Sequence, residues 1–222
     1  MFIFVIQQNI NFIIKRFGST LFSIKFKGNS MKTETHWKLA LKILKNDIPE
    51  MSFKSRVAFA FGCVKPDFDM FSYLRGFRHK PFYGHNWSNA HNYIMRLSQK
   101  AIQKNLGSFG LGLLVHYLCD AFTFVHNDCF CGGLRAHTVY EKQLHKTLLE
   151  SEKRSEQFYF GESQNLSEVI ENAHSRYMTL PNTVVKDIEF IDFVVNLVVA
   201  VWKDAVYSAE KRCNAARYAS RP

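Results

Sequence analysis

The chain has 222 residues, with Lys and Arg exceeding Asp and Glu by 29 to 19 and a formal charge of +10. At 47% hydrophobic and 22% charged residues it has the composition of a folded globular chain, which excludes general disorder, and its 11 Gly and 5 Pro exclude a collagen-like repeat. The length suits one domain with a tail, and the core needs no disulfide framework.

Residues 1–30 carry Lys15, Arg16, Lys25 and Lys27, no acid, and six of the 21 Phe. They therefore supply +4 of the +10, and the excess charge is weaker support for a nucleic-acid partner than it first looks. The apolar start is broken by Gln7, Gln8, Asn9 and Asn11, and its positive charge follows the apolar part, the reverse of a secretory leader. We read 1–30 as an N-terminal extension, either a poor leader or translated upstream sequence, and 31–222 as the folded domain.

From Thr35 the apolar period is helical, through Trp37, Leu39, Leu41, Ile43 and Leu44, with Pro49 closing the segment. A short buried helix is expected over 54–64, before Pro66, then a loop holding Pro66, Gly76, Pro81 and Gly84. Residues 87–104 read as a helix capped near Ser88 or Asn89. Residues 108–125 are an apolar run interrupted by His116 and Asp120, and Gly132 and Gly133 break the chain before a helix over 134–152. Two further helices are expected over 165–178 and 183–212. The apolar stretch from Phe193 to Trp202 is too short to span a bilayer and reads as a buried core helix. No strand alternation or repeat persists, so the fold class is all-α.

The chemistry lies in the nine histidines and their neighbouring acids. His116 and Asp120 are four residues apart and share one helical face; His137 and Glu141 repeat the arrangement, and His126 stands between them. Imidazole and carboxylate are zinc ligands, and two such pairs plus a histidine exceed one tetrahedral site, which points to two or more metals. A lone i, i+4 pair is usually a surface contact of a few tenths of a kcal/mol. Here, however, His116 and Asp120 interrupt an apolar helix, where an acid is costly unless paired or metal-bound. Further candidates are His36, Asp67, Asp69, His79, His85 and His91, whereas His145 and His174 lack a ligand pattern and read as structural or exposed.

The ordered set His36, Pro66-Asp67, Gly84-His85-Asn86-Trp87, His116 to Asp120, His126 and His137 to Glu141 resembles the zinc-dependent phospholipase C family over roughly residues 33–145. The resemblance implies an all-α, multi-helix bundle of phospholipase C/nuclease type with an interior zinc cluster. It implies one ion on Asp67, His85, His116 and Asp120, a second on His126, His137 and Glu141, and a third on His36 with Asp120 bridging. Asp67, in its Pro-Asp context, is the expected catalytic residue, orienting or deprotonating a water. Two or three zinc ions are expected. Secreted members use an N-terminal Trp as a ligand to the third ion; this chain has no Trp there, and a start at Met31 places an amine five residues before His36 as its replacement.

The expected function is zinc-dependent phosphodiester hydrolysis, with phospholipid as substrate; Arg75, Arg78 and Lys80, beside Phe77 and Phe82, read either as a peripheral membrane contact for an anionic lipid surface or as an ordinary solvated loop. Single-stranded nucleic acid is the runner-up substrate, since nucleases share the fold. Two non-enzymatic alternatives are a zinc knot from His126, Cys129, Cys131 and His137, and a zinc-binding domain without turnover. The odd set Cys63, Cys119, Cys129, Cys131 and Cys213 suits reduced thiols, so a cytoplasmic or membrane-peripheral location is expected over secretion.

Overall fold

A computed structural model describes residues 31–68, 85–103, 105–150 and 165–219; residues 31, 32, 149, 150 and 207–219 are described by backbone alone. The expected extension 1–30, Asp69, His79 and the basic loop with Arg75, Arg78 and Lys80 lie outside the described residues.

Among the described residues the regular structure is seven α-helices and one 3-10 turn, with no strand. In chain order these are α1 (Met31–Asn46), α2 (Phe53–Phe68), α3 (Trp87–Ile102), α4 (Ser108–Ala121), the 3-10 turn (Phe124–His126), α5 (Leu134–Glu150), α6 (Leu166–Thr179) and α7 (Val184–Ala219). The all-α expectation therefore holds.

The apolar run at 108–121 becomes the central helix because from Leu111 onward it is buried on nearly every side. Leu111, Leu114, Val115, Tyr117 and Leu118 all lie inside. A helix apolar on every side must be covered on every side, and α1, α2, α3 and α7 pack on α4. The core is one continuous cluster, joining Leu39 and Ile43 of α1, Phe59 of α2, Ile94 of α3, Leu144 of α5, Ile170 of α6 and Val194 and Val198 of α7. The stretch from Phe193 to Trp202 lies within α7, with Val194, Val195, Val198 and Val199 buried. No described helix is long and apolar enough to cross a membrane.

The closest helix contact is the crossing of α2 and α4, made at two glycines. A Cβ on Gly112 would meet the Phe59 carbonyl oxygen and lie 2.8 Å from the Cys63 nitrogen and 2.9 Å from the Gly62 Cα. A Cβ on Gly62 would meet the Phe109 carbonyl oxygen and lie 3.0 Å from the Gly112 Cα. The two backbones thus touch directly, and side chains one turn further along each helix face one another. Gly112, His116 and Asp120 form one i, i+4, i+8 stripe on α4.

Two boundaries depart from the sequence reading. α2 does not stop before Pro66 but runs through it to Phe68, so Asp67 is helical instead of lying in a loop. Proline removes only one N–H, the partner of the Gly62 carbonyl, and does so in the last turn where few such bonds remain. The α3 cap is Asn86, not Ser88 or Asn89. The Ser88 N–H donates to Asn86 Oδ1 at 2.9 Å, and Asn86 Nδ2 donates to Asp128 Oδ1 at 2.9 Å, so the cap also fixes the chain next to His85.

Gly112→Ala should cost at least ~1–3 kcal/mol, because the obstructing atoms are backbone and do not yield. For a domain of this size that is roughly 2–12 °C in Tm. A thermal melt checks it against Gly133→Ala, whose Cβ would meet nothing within 4 Å and whose melt should barely move.

Candidate metal centre

The structure brings all eight sequence-predicted site residues into one interior region. α1 delivers His36, α2 Asp67, and the entry to α3 His85. α4 delivers His116 and Asp120, the 3-10 turn His126, and α5 His137 and Glu141. They form three groups whose ligand atoms lie within 4.8 Å of one another: His36, His116 and Asp120; Asp67, His85 and His116; and His126, His137 and Glu141.

Asp120 is the hub. Its Oδ1 lies 3.1 Å from His36 Nε2 and 3.9 Å from His126 Nε2. Its Oδ2 lies 2.9 Å from His85 Nδ1 and 3.2 Å from His116 Nε2. Each oxygen thus serves a different pair of imidazoles. Burial by itself favours the neutral acid, but the rings of His126, His116 and His36 outweigh it and hold the carboxyl well below the ordinary range.

His116 is fully buried, and its Nδ1 lies 2.8 Å from the Cys63 carbonyl oxygen. A carbonyl only accepts, so Nδ1 carries the hydrogen and donates. In the neutral ring Nε2 is then a lone pair. That lone pair faces a carboxylate oxygen of Asp120, which also only accepts. Two acceptors at 3.2 Å need a shared cation, either a proton or a metal ion. The protonation balance agrees: burial disfavours the charged ring, yet Asp120 and Asp67 outweigh it and raise the His116 pKa. His85, in contrast, is lowered, chiefly by burial.

Asp67 supplies a second indication. Both of its carboxylate oxygens are buried, and among the described residues neither accepts a hydrogen bond; His85 Nδ1 lies 4.0 Å from Oδ1. An acid buried without donors is costly, and a cation held beside His85 and His116 removes that cost. In the third group, His126 Nε2 and His137 Nε2 each lie 3.3 Å from Glu141 Oε1. A cavity of about 30 Å³ opens between His36, Asp120, His126 and Glu141, enough for more than one water-sized body. The residues present therefore fit bound metal, and the donor set of imidazoles and carboxylates suits zinc.

Cysteines take no part in these groups. Cys129 and Cys131 are exposed, and Cys131 Sγ turns toward the Cys129 carbonyl oxygen at 3.6 Å. The zinc-knot alternative is thereby corrected: His126 and His137 face Glu141, not the thiols. His145 lies beside the centre with Thr35 Oγ1 at 2.8 Å from Nδ1 and Lys38 Nζ at 3.3 Å from Nε2.

Of the two readings, structural or exposed, His174 takes the first: it is buried, in a support whose partners the sequence did not show. It stacks on Trp87 at 3.7 Å with an 8° interplanar angle, and its Nε2 lies 3.0 Å from Asn127 Oδ1. Asn127 Nδ2 donates in turn to the Ala121 and Thr123 carbonyls at 3.0 and 2.9 Å. This ties down the turn between Asp120 and His126. The one signal available was the position of His174 on the buried stripe of α6 with Ile170 and Tyr177.

A scan against protein families matches the zinc-dependent phospholipase C family over residues 35–184, more than half of the chain. The chain belongs to the zinc-dependent phospholipase C family. The match reaches about forty residues beyond the stretch that carried the resemblance in sequence, through α6 to the start of α7. Neither curated proteins nor solved structures gave a significant match. Membership makes the chain a zinc-dependent hydrolase at the level of the family, and the three groups are where its metal can be held.

Elemental analysis should show Glu141→Ala and His116→Ala each binding less zinc than the parent chain. Asp120→Asn should lose more than Glu141→Ala, because each oxygen of Asp120 serves a separate pair of rings. Unchanged zinc in all three variants would refute the assignment. In a weakly buffered titration near pH 7, zinc added to the metal-free protein should release protons. A proton on His116 competes with metal for the same nitrogen, and Asp120 and Asp67 raise its pKa, so zinc affinity should fall as pH drops through the His116 range.

Proposed function

We propose that this chain is a zinc-dependent phosphodiester hydrolase that cleaves phospholipid in the manner of a phospholipase C. Family membership supports the class of reaction. The observation that carries the reading is the split of Asp120 between two pairs of imidazoles, beside a buried Asp67 whose oxygens accept from no donor among the described residues.

In this reading Asp67, His85, His116 and Asp120 hold one ion, His126, His137 and Glu141 a second, and His36 with Asp120 contributes to a third. Bound zinc supplies Lewis acidity, bringing the pKa of a water toward neutral and offsetting charge on the phosphoryl oxygens. The protein's own part is to hold and to exclude. Asp120 fixes four rings at once. The Cys63 carbonyl holds His116 in one tautomer, with its lone pair turned inward. Asp67 takes the proton from the attacking water on a carboxylate oxygen that no described side chain occupies. Water adds to phosphorus, the ester bond to the glycerol oxygen breaks as that oxygen takes the proton held on Asp67, and diacylglycerol and a phosphorylated headgroup leave.

The test is a parallel assay of the full chain on phosphatidylcholine vesicles and on single-stranded nucleic acid, with and without a chelator. Phosphorylated headgroup should be released from the vesicles, lost on chelation and restored by zinc. Asp67→Asn should lower kcat by roughly 10²–10⁴-fold. Cleavage of nucleic acid with no headgroup release would give the reading to a nuclease; zinc binding without turnover on either would make the chain a binding domain.

A further inference from the structure

Asp187 has no place among the three metal groups, and it lies just past the matched segment, in the first turn of α7. It is fully buried. Three donors converge on it, and the way they divide is informative. Oδ1 accepts from the Tyr177 hydroxyl at 2.7 Å, which ties α7 to α6. Oδ2 accepts from the Phe124 N–H at 2.9 Å and from the Tyr140 hydroxyl at 2.8 Å.

Those last two partners belong to the segments that deliver the third metal group. Phe124 opens the 3-10 turn that ends at His126. Tyr140 directly precedes Glu141 and follows His137 by three residues on α5. The rings of Phe124 and Tyr140 pack at 5.6 Å, so the two segments meet beneath this one oxygen. We propose that Asp187 is a positioning residue for His126, His137 and Glu141, setting through Oδ2 the spacing between the turn and the helix that carry them.

The inference rests on the reading that this group holds zinc. Its physical basis is general: a ligand set binds well only when its supporting hydrogen bonds fix it beforehand, and loss of such support costs about 10–100-fold in metal affinity. Asp187 acts through hydrogen bonds to Phe124, two residues from His126, and to Tyr140, one residue from Glu141, rather than on a ligand directly, so the lower end of that range applies. A buried acid placed only to complete the start of α7 needs neither contact at Oδ2. Burial pushes its carboxyl up to about 6 against the pull of Phe124, Tyr177 and Tyr140, so the donors do not fully offset the cost of placing an acid there.

The experiment is a stepwise zinc titration of the full chain against a chromophoric chelator, with Glu141→Ala marking the step that belongs to this group. Asp187→Ala should weaken that step by about 10-fold and leave the others in place. Asp187→Asn keeps a carbonyl acceptor for Phe124 and Tyr140 and should restore the step. Tyr140→Phe, which removes one hydroxyl and no volume of consequence, should weaken the same step with an unchanged circular dichroism spectrum. Tyr177→Phe should lower Tm while leaving that step as it was, since it touches only Oδ1. If Asp187→Ala and Tyr140→Phe leave the marked step unchanged, or weaken every step equally, the proposal is overturned while the metal centre stands. A parent chain that takes up no zinc overturns both.

Discussion

A single carboxylate in the last turn of an apolar helix sets the terms for the rest of this molecule. Asp120 is almost wholly removed from water, in a segment whose other buried positions, His116 and Tyr117 apart, are Leu, Val, Ala, Gly and Cys. An isolated ion there would be untenable. It is tolerated because imidazoles from three other segments, those of His36, His85 and His126, are turned toward its two oxygens and the helix itself supplies His116 one turn back. The bundle is therefore organised around a polar point as much as around a hydrophobic core. Helices α1, α2 and α4 must pass close to one another, and the glycine crossing at Gly62 and Gly112 lets them do so.

The same crossing links backbone to chemistry. Because α2 and α4 touch without intervening side chains, the Cys63 carbonyl comes within hydrogen-bond range of His116 Nδ1. One turn further along α2, Asp67 comes beside His85. Contact between helices, tautomer selection and placement of a buried acid are three results of one close approach. On the other side, the turn carrying His126 is held twice, by Asn127 and His174 from α6 and by Asp187 from α7. A short turn with few backbone bonds of its own gains rigidity from elements late in the chain.

The parts of this arrangement that were legible in sequence are those with local periodicity. His116 with Asp120, and His137 with Glu141, show as i, i+4 pairs because helix geometry alone places them on one face. The all-helical class follows from the same periodicity. The joining of His36 to Asp120 across 84 residues, or of His85 across 35, has no local signature and became visible only through the resemblance of the ordered motifs. Pro66 misled because a proline reads as a boundary, whereas in the last turn it removes a single bond. The capping position misled because Asn86, Ser88 and Asn89 are all good caps; the bond from Asn86 to Asp128 is tertiary. Cys129 and Cys131 misled in the opposite way, as residue types apt for zinc on a stretch that turns outward. Asp187 did carry a trace. It sits on the stripe of Ile191, Val194, Val198 and Trp202, an acid at a core position, which is the same anomaly that drew notice to Asp120.

The stack of Trp87 on His174 has a consequence for the indole itself. Burial lowers the pKa of His174 to about 4, so at neutral pH the indole faces an uncharged imidazole in van der Waals contact. That imidazole is bonded to Asn127, which braces the turn leading to His126. The indole also stands two residues from His85. A change in the order of that turn, or in the charge of the ring beneath it, therefore changes the immediate surroundings of the Trp87 indole.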